Sequence, residues 1–279
     1  MYSSLISPQI VQEQLENPVW RFIDCRYVLT APDQKKEEFE VSHLPGAIYA
    51  HTNLDLAVPH VPGKTGRHPL PSVEEVVKKF SSWGIDQSVQ VAVYDDTGGA
   101  HAARLWWMLR WLGHDAVAVM DGGWPRWIKE GHPVTAELFV PEAKAFIASP
   151  RAEWLVDAED VRNDLDNSEV CVLDARSADR YRGENETFDP ISGHIPGAFS
   201  TPFTENLNKD GNWKSKEELR KKYEKLLEGS PAQKAVSYCG SGITACHNIL
   251  AMYHAGMGDS RLYAGSWSDW ITDPDRPVE

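Results

Sequence analysis

The chain repeats itself at a domain-sized spacing, and this duplication constrains its fold more than any other feature of the 279 residues. Several short segments of the first half recur in the same order in the second half. They begin at Leu5, Phe22, His43, Val91 and Gly123, and their counterparts begin at Leu155, Val172, His194, Ala235 and Ser266. Ordered matches of this kind indicate two homologous domains. We place them at residues 1–138 and 152–279, joined by a proline-bearing linker at residues 139–151.

Each half alternates short apolar segments with amphipathic ones. In the second half, residues 170–174 and 235–238 are typical of buried strands. Ser72 and Ser215 each stand three residues before a glutamate, the pattern of a capping box at a helix start. Strand–helix alternation predicts an α/β fold, in which each domain has a central, mainly parallel sheet flanked by helices. Ligands of such sheets bind at the carboxyl ends of the strands.

Charge and hydropathy exclude several classes of partner. The chain has 28 basic and 41 acidic residues and a formal net charge of −13, so it repels the phosphate backbone of nucleic acids. It has no basic block that would attract an anionic membrane and no apolar run long enough to span one. Residues 1–8 lack the basic and apolar regions of a signal peptide. We therefore expect a cytoplasmic monomer with neither nucleic-acid nor membrane partners.

The four cysteines are spaced too irregularly for a zinc site, and we predict no metal. Free thiols are expected in a cytosolic setting. For Cys25, Cys171 and Cys246 we predict buried side chains that act as small hydrophobes.

Cys239 stands in a different context. It directly follows the predicted strand 235–238 and precedes an apolar, helix-like run at residues 249–253. Gly240 and Gly242 allow the backbone to curl so that its N–H groups point inward, and the following helix adds its dipole. Such a loop stabilises an anion, so we predict that Cys239 is a reactive thiolate.

A cysteine loop before a helix also occurs in cysteine phosphatases. Their chemistry needs an arginine six residues after the cysteine to clamp the phosphate oxygens. Ala245 occupies that position, and this disfavours a phosphatase.

The chain resembles the tandem rhodanese family. The resemblance lies in the loop at residues 239–245, in the two His-x-Pro-Gly-Ala segments at 43–47 and 194–198, and in the Gly-Ser-Trp segment at 265–267. It implies two rhodanese-like domains, a persulfide on Cys239 and no cofactor. It also implies a silent first domain. Asp95 stands at the position equivalent to Cys239, and a carboxylate cannot carry a sulfane sulfur.

The loop favours one sulfur donor over another. It resembles that of 3-mercaptopyruvate sulfurtransferases, whereas thiosulfate sulfurtransferases typically carry Arg and Lys within it. Gly240 and Ser241 are neutral, and thiosulfate is a dianion that cationic side chains would hold. We therefore predict 3-mercaptopyruvate as the donor and cyanide, a small thiol or a thioredoxin-like protein as the acceptor. Thiosulfate as the donor, or a non-catalytic binding module, are the alternatives.

The resemblance also implies roles for further residues. Ser241 would handle protons together with His68 and Asp55 from the first domain, and Arg182 would hold the donor carboxylate. The family's further arginine, shortly downstream, has no counterpart in residues 186–190. The backbone around the persulfide would be supplied by Gly240, Gly242, Ile243 and Thr244.

Overall fold

The computed structural model describes residues 1–279. The chain divides into two compact units. Unit 1 comprises Met1–Val58, Leu70–Arg151 and Asp210–Asn212, and unit 2 comprises Pro59–Pro69, Ala152–Lys209 and Trp213–Glu279.

Unit 1 is built around a five-stranded sheet in which every strand pairing is parallel. Its strands, in chain order, are β1 (Leu5–Ile6), β2 (Trp20–Asp24), β3 (Ala47–Tyr49), β4 (Gln90–Tyr94) and β5 (Val117–Met120). The spatial order is β1-β5-β4-β2-β3, which places β4 at the centre. Every residue of β4 is buried, as expected for a strand that is covered on both faces.

Six helices belong to unit 1. They are α1 (Pro8–Glu13), α2 (Gln34–Val41), α3 (Thr52–Asp55), α4 (Val73–Ser82), α5 (Ala102–Trp111) and α6 (Gly123–Lys129). The predicted capping box begins α4: Ser72 accepts the N–H of Glu75, and Glu75 accepts that of Ser72. Helix α5 is buried along its whole length.

Unit 2 repeats the sheet of unit 1 strand for strand. Its strands are β6 (Leu155–Val156), β7 (Cys171–Asp174), β8 (Phe199–Ser200), β9 (Ala235–Tyr238) and β10 (Arg261–Tyr263). The order β6-β10-β9-β7-β8 is that of unit 1, and all pairings are again parallel. The predicted α/β duplication is confirmed.

Five helices belong to unit 2. They are α7 (Ala158–Asn163), α8 (Ala178–Tyr181), α9 (Lys216–Leu227), α10 (Ala245–His254) and α11 (Ser266–Trp270). Ser215 and Glu218 form the predicted capping box of α9. The aromatic rings of Trp267 and Trp270 are fully buried in the core of this unit.

An ion pair that ends the second strand of each sheet is also duplicated. Asp24 pairs with Arg26 at 2.8 Å, and Asp174 pairs with Arg176 at 2.6 Å, with all four side chains buried. In unit 2, Arg176 also donates to the carbonyl of Gly193 at 2.7 Å. Because the pair occurs in both units, it is explained by the fold that they share.

The two units differ from the predicted domain bounds in three places. Segment Asp210–Asn212 belongs to unit 1 although it lies within residues 152–279. Segment Pro59–Pro69 belongs to unit 2 although it lies within residues 1–138. The predicted linker, residues 139–151, belongs to unit 1, where Phe146 is buried against Phe80. None of the helices has both the length and the apolar character that crossing a membrane requires.

Candidate active site

Cys239 lies directly after β9, in the loop that leads into α10. Its side chain is only 2% exposed, and the N–H of Gly242 donates to its Sγ at 3.2 Å. Gly242 has φ +77°, and a Cβ atom there would lie 2.3 Å from the carbonyl oxygen of Ala264. Only glycine fits this curl, which turns a backbone donor towards the sulfur.

The start of α11 fixes the cysteine loop. The N–H of Cys239 donates to Oγ of Ser266 at 3.1 Å. In return, the N–H groups of Trp267 and Ser268 donate to the carbonyls of Cys239 and Gly240 at 2.9 and 3.0 Å. The Gly-Ser-Trp segment thus holds the loop through the backbone.

The other cysteines are buried, and none forms a disulfide. Burial raises the pKa of Cys25 well above its usual value, with nearby carboxylates adding to the shift. Burial also raises the pKa of Cys171. Cys246 lies in the first turn of α10 and donates to the carbonyl of Gly242 at 3.4 Å. The raised pKa values of Cys25 and Cys171 favour the neutral thiol form that we expected of small core residues.

Ser241 and His68 are brought together in unit 2. Oγ of Ser241 lies 2.7 Å from Nδ1 of His68, and the two residues are 7% and 6% exposed. His68 reaches this position because segment Pro59–Pro69 packs within unit 2. The start of α11 also holds this segment, because the N–H of Arg67 donates to Oγ of Ser268 at 3.0 Å.

Asp55 lies in unit 1, at the end of α3. Its carboxylate accepts the N–H of His51 at 2.8 Å and pairs with Lys79 at 2.5 Å. Its action on His68 stays a prediction.

Two arginines lie beside the cysteine loop, and Arg182 is not one of them. Arg182 is half exposed and pairs with Glu184 at 2.7 Å. A Cβ atom at Gly240 would instead lie 2.7 Å from Nη2 of Arg67 and 3.3 Å from Nη2 of Arg180. Residues two apart on a helical turn face different directions, so Arg180 turns towards the loop and Arg182 towards solvent. The structure thus places Arg180, and not Arg182, beside the cysteine loop, and the donor-binding role predicted for Arg182 stays untested.

Arg67 was missed by the sequence reasoning, although it directly precedes His68. Its position next to a predicted site residue is the sequence signal that could have identified Arg67. The Nε of Arg67 is buried and has no hydrogen-bond partner, so this guanidinium keeps an unused donor beside the loop.

Two carboxylates from the segment that follows α8 pair with these arginines. Asp189 pairs with Arg67 and, at 3.2 Å, with Arg180. Glu186 pairs with Arg180 at 2.8 Å and with Arg176 at 3.4 Å. Burial raises the pKa of Asp189 in spite of Arg67, whereas for Glu186 the hydrogen bonds from Arg180 and from the backbone outweigh burial and lower the pKa. Residues 186–190 therefore supply counter-charges where the family has an arginine.

The remaining predicted loop residues lie around Cys239. Ile243 is 5% exposed, and Thr244 immediately precedes α10. Of the backbone N–H groups from Gly240 to Thr244, that of Gly242 donates to the sulfur. The persulfide-holding role of Gly240, Ile243 and Thr244 stays a prediction.

In unit 1, the equivalent loop surrounds the side chain of Asp95. Asp95 is fully buried, and its carboxylate accepts the N–H groups of Thr97, Gly99, His101 and Ala102 at 2.8–2.9 Å. This loop has no thiol, and its backbone donors are used by the carboxylate.

Comparison with known proteins agrees with this duplicated architecture. The rhodanese-like domain family matches residues 7–130 and 157–273. The chain is 43% identical to the "Probable 3-mercaptopyruvate sulfurtransferase" of Pseudomonas aeruginosa, over 99% of this chain and 98% of that protein. It is 35% identical to the thiosulfate sulfurtransferase of Mus musculus, over 97% and 93% of the two chains.

A solved structure extends the agreement to three dimensions. The 3-mercaptopyruvate sulfurtransferase of Leishmania major superposes with a TM-score of 0.82 at 32% identity, covering 95% of this chain and 73% of that one. With both halves matched by the family and full-length relatives well above 30% identity, this chain belongs to the rhodanese family of sulfurtransferases.

Proposed function

We propose that the protein transfers a sulfane sulfur from 3-mercaptopyruvate to a thiol or cyanide acceptor through a persulfide on Cys239. The observation that carries this proposal is the contact between Ser241, two residues after Cys239, and His68. Oγ of Ser241 lies 2.7 Å from Nδ1 of His68. A hydroxyl hydrogen-bonded to an imidazole can deliver and accept protons. Mercaptopyruvate needs such a group, because its leaving carbon must gain a proton.

In the first half-reaction, the thiolate of Cys239 attacks the sulfur of the donor. The bond between this sulfur and the donor's methylene carbon breaks, and its electron pair stays on the carbon as the enolate of pyruvate. Protonation of that carbon releases pyruvate and leaves the Cys239 persulfide. The N–H of Gly242, which now donates to Sγ, stabilises negative charge on the sulfur.

In the second half-reaction, an acceptor thiolate or cyanide attacks the outer sulfur. The sulfur–sulfur bond breaks, and its electron pair returns to Cys239 as the thiolate. Cyanide leaves as thiocyanate, and a thiol leaves as its persulfide. In the first half-reaction the donor's carbon is reduced while Cys239 is oxidised to the persulfide, and in the second the persulfide returns to the thiolate while the acceptor gains the sulfane sulfur. The two changes balance, so no external oxidant is consumed.

Arg180 and Arg67 are proposed to hold the donor's carboxylate. Both guanidiniums lie beside Gly240, and the buried Nε of Arg67 is an unused donor. Guanidinium groups bind carboxylates through paired hydrogen bonds, which would orient the donor's sulfur towards Cys239.

Thiosulfate is the second candidate donor. The loop itself is neutral, but Arg67 and Arg180 place cationic groups beside Gly240, and an anion of either kind could use them. The preference for mercaptopyruvate therefore depends on the Ser241–His68 pair, since transfer from thiosulfate releases sulfite and protonates no carbon.

The test is to incubate the reduced protein with each donor and weigh the peptide that contains Cys239. We expect a gain of one sulfur atom with mercaptopyruvate, reversed by cyanide, and a higher kcat/KM than with thiosulfate. The Cys239→Ser variant controls for sulfur bound elsewhere. Absence of a sulfur gain with both donors would contradict the enzyme mechanism and favour a binding module. A higher kcat/KM with thiosulfate would make thiosulfate the donor.

A further inference from the structure

The arginine pair beside the cysteine loop is occupied by a side chain of the protein itself. Asp189 has both carboxylate oxygens engaged, one with Arg67 and the other with Arg180 at 3.2 Å. The Asp189 side chain is only 3% exposed. A carboxylate thus already lies between the two guanidiniums that face Gly240.

Arg180 does not need Asp189 to keep its position. Its Nε and Nη2 donate to Glu186 at 2.9–3.1 Å. Glu186 is held in turn by Arg176 at 3.4 Å and by the N–H of Phe188 at 2.9 Å. Glu186 therefore orients Arg180 independently, and the contact with Asp189 is an additional one.

The backbone of Asp189 is anchored separately from its carboxylate. Its N–H donates to Glu186 at 3.2 Å, and the nearby carbonyl of Ile191 accepts Nε1 of Trp267 at 2.8 Å. Rotation of the side chain alone would therefore free the two arginines without changing the path of the segment. Burial raises the pKa of Asp189 although both of its carboxylate oxygens contact guanidinium groups.

From these contacts we infer that Asp189 is a resident competitor of the donor: it occupies the Arg67–Arg180 pair in the free protein and is displaced by the donor's carboxylate. The inference rests on the proposed function in one respect, that a 2-oxo acid binds at this arginine pair. The protein then binds such acids more weakly than the two arginines alone would. Only those protein molecules in which Asp189 has rotated away from the arginines can bind the acid. Asp189 thereby sets the KM for anionic donors.

The test measures binding without turnover. In a Cys239→Ser background, pyruvate is titrated by calorimetry into proteins with Asp189 or with Asp189→Asn. We expect the Kd of pyruvate to fall about tenfold in the Asn protein, which corresponds to a competent fraction of roughly one tenth with Asp189 present. With Cys239 restored, the KM for mercaptopyruvate should fall by a similar factor while kcat stays unchanged.

Glu184→Gln is the matched control. It removes one negative charge from the same segment, at a half-exposed carboxylate that pairs with Arg182. Its effect on pyruvate binding should stay below about twofold, because exposed charges are screened. If Asp189→Asn does not fold, as judged by circular dichroism, Asp189→Ala replaces it.

An unchanged or higher Kd for pyruvate in the Asp189 variants overturns the inference, since it would mean that Asp189 only orients the guanidiniums. No pyruvate binding by any of the proteins overturns it as well. If the variants bind pyruvate more tightly but no donor adds sulfur to Cys239, the competitor role stands and the proposed sulfur transfer fails.

Discussion

The loops at Asp95 and Cys239 occupy the same place in the two units and show what one residue does to a shared scaffold. Each follows the central strand of its sheet and leads into a buried helix. At Asp95, four backbone N–H groups converge on a carboxylate that belongs to the chain. At Cys239, the N–H of Gly242 donates to the sulfur of the thiol that we propose as the sulfur carrier.

The comparison separates two properties that a fold can keep or lose independently. Both loops present backbone N–H donors to the side chain that follows the strand, which is a property of their path from strand to helix. Only one of them has a nucleophile there. In unit 1 the side chain is a carboxylate held by four backbone N–H groups, whereas in unit 2 it is the thiol that we propose as the nucleophile. The substitutions below test this division of roles.

The largest effect is expected for Cys239→Ser. A hydroxyl cannot form the persulfide, so thiocyanate formation from mercaptopyruvate and cyanide should fall at least about a thousandfold. Cys246→Ser, which replaces the buried thiol in the first turn of α10, should retain the activity. Retained activity in Cys239→Ser would mean that another residue carries the sulfur.

Ser241→Ala tests the proton-handling role that we propose for the Ser241 hydroxyl, a role that the Asp95 loop does not share. It removes the hydroxyl that lies 2.7 Å from His68, and kcat with mercaptopyruvate should fall roughly a hundredfold. The fall with thiosulfate should be much smaller. Ser237→Ala, at a fully buried serine of β9 whose hydroxyl has no partner, is the matched control. Equal losses with both donors would count against proton handling by Ser241.

Arg180→Ala and Arg182→Ala distinguish the arginine predicted from the sequence, Arg182, from the one that lies beside the loop, Arg180. Loss of Arg180 should raise the KM for mercaptopyruvate roughly tenfold or more, since a hydrogen bond to a charged group contributes about 1.5–3 kcal/mol. Loss of Arg182, whose partner is the exposed Glu184, should leave KM nearly unchanged. Steady-state kinetics measure both, and thermal unfolding checks that the variants fold. A larger KM change in Arg182→Ala would restore the original assignment.

Local sequence patterns were sufficient for the architecture. Strand periodicity, the capping boxes at Ser72 and Ser215, and the repeated motifs predicted two parallel-sheet domains, because each of these signals acts over a few residues. The glycine-rich loop after a buried strand likewise pointed to Cys239 without long-range information.

The surroundings of the thiol depended on tertiary packing. Segment Pro59–Pro69 lies in unit 2, and its composition does not predict that Arg67 lies beside Gly240. The choice between Arg180 and Arg182 depends on which side of a single helical turn faces the loop. The carboxylate of Asp189 could be recognised as a counter-charge only once its distance to Arg180 was known.

Asp95→Asn should have the smallest effect on catalysis and a clear effect on stability. An amide keeps one acceptor oxygen but turns an NH₂ group towards backbone N–H donors, so buried donors lose their partner. We expect the free energy of unfolding to fall by about 2 kcal/mol, measured by denaturant titration, while kcat stays unchanged. The exposed Glu40→Gln, also a carboxylate-to-amide change in unit 1, should alter neither quantity. A fall in kcat with intact stability would show that the Asp95 loop takes part in sulfur transfer. It would contradict the purely structural role that the comparison of the two loops assigns to unit 1.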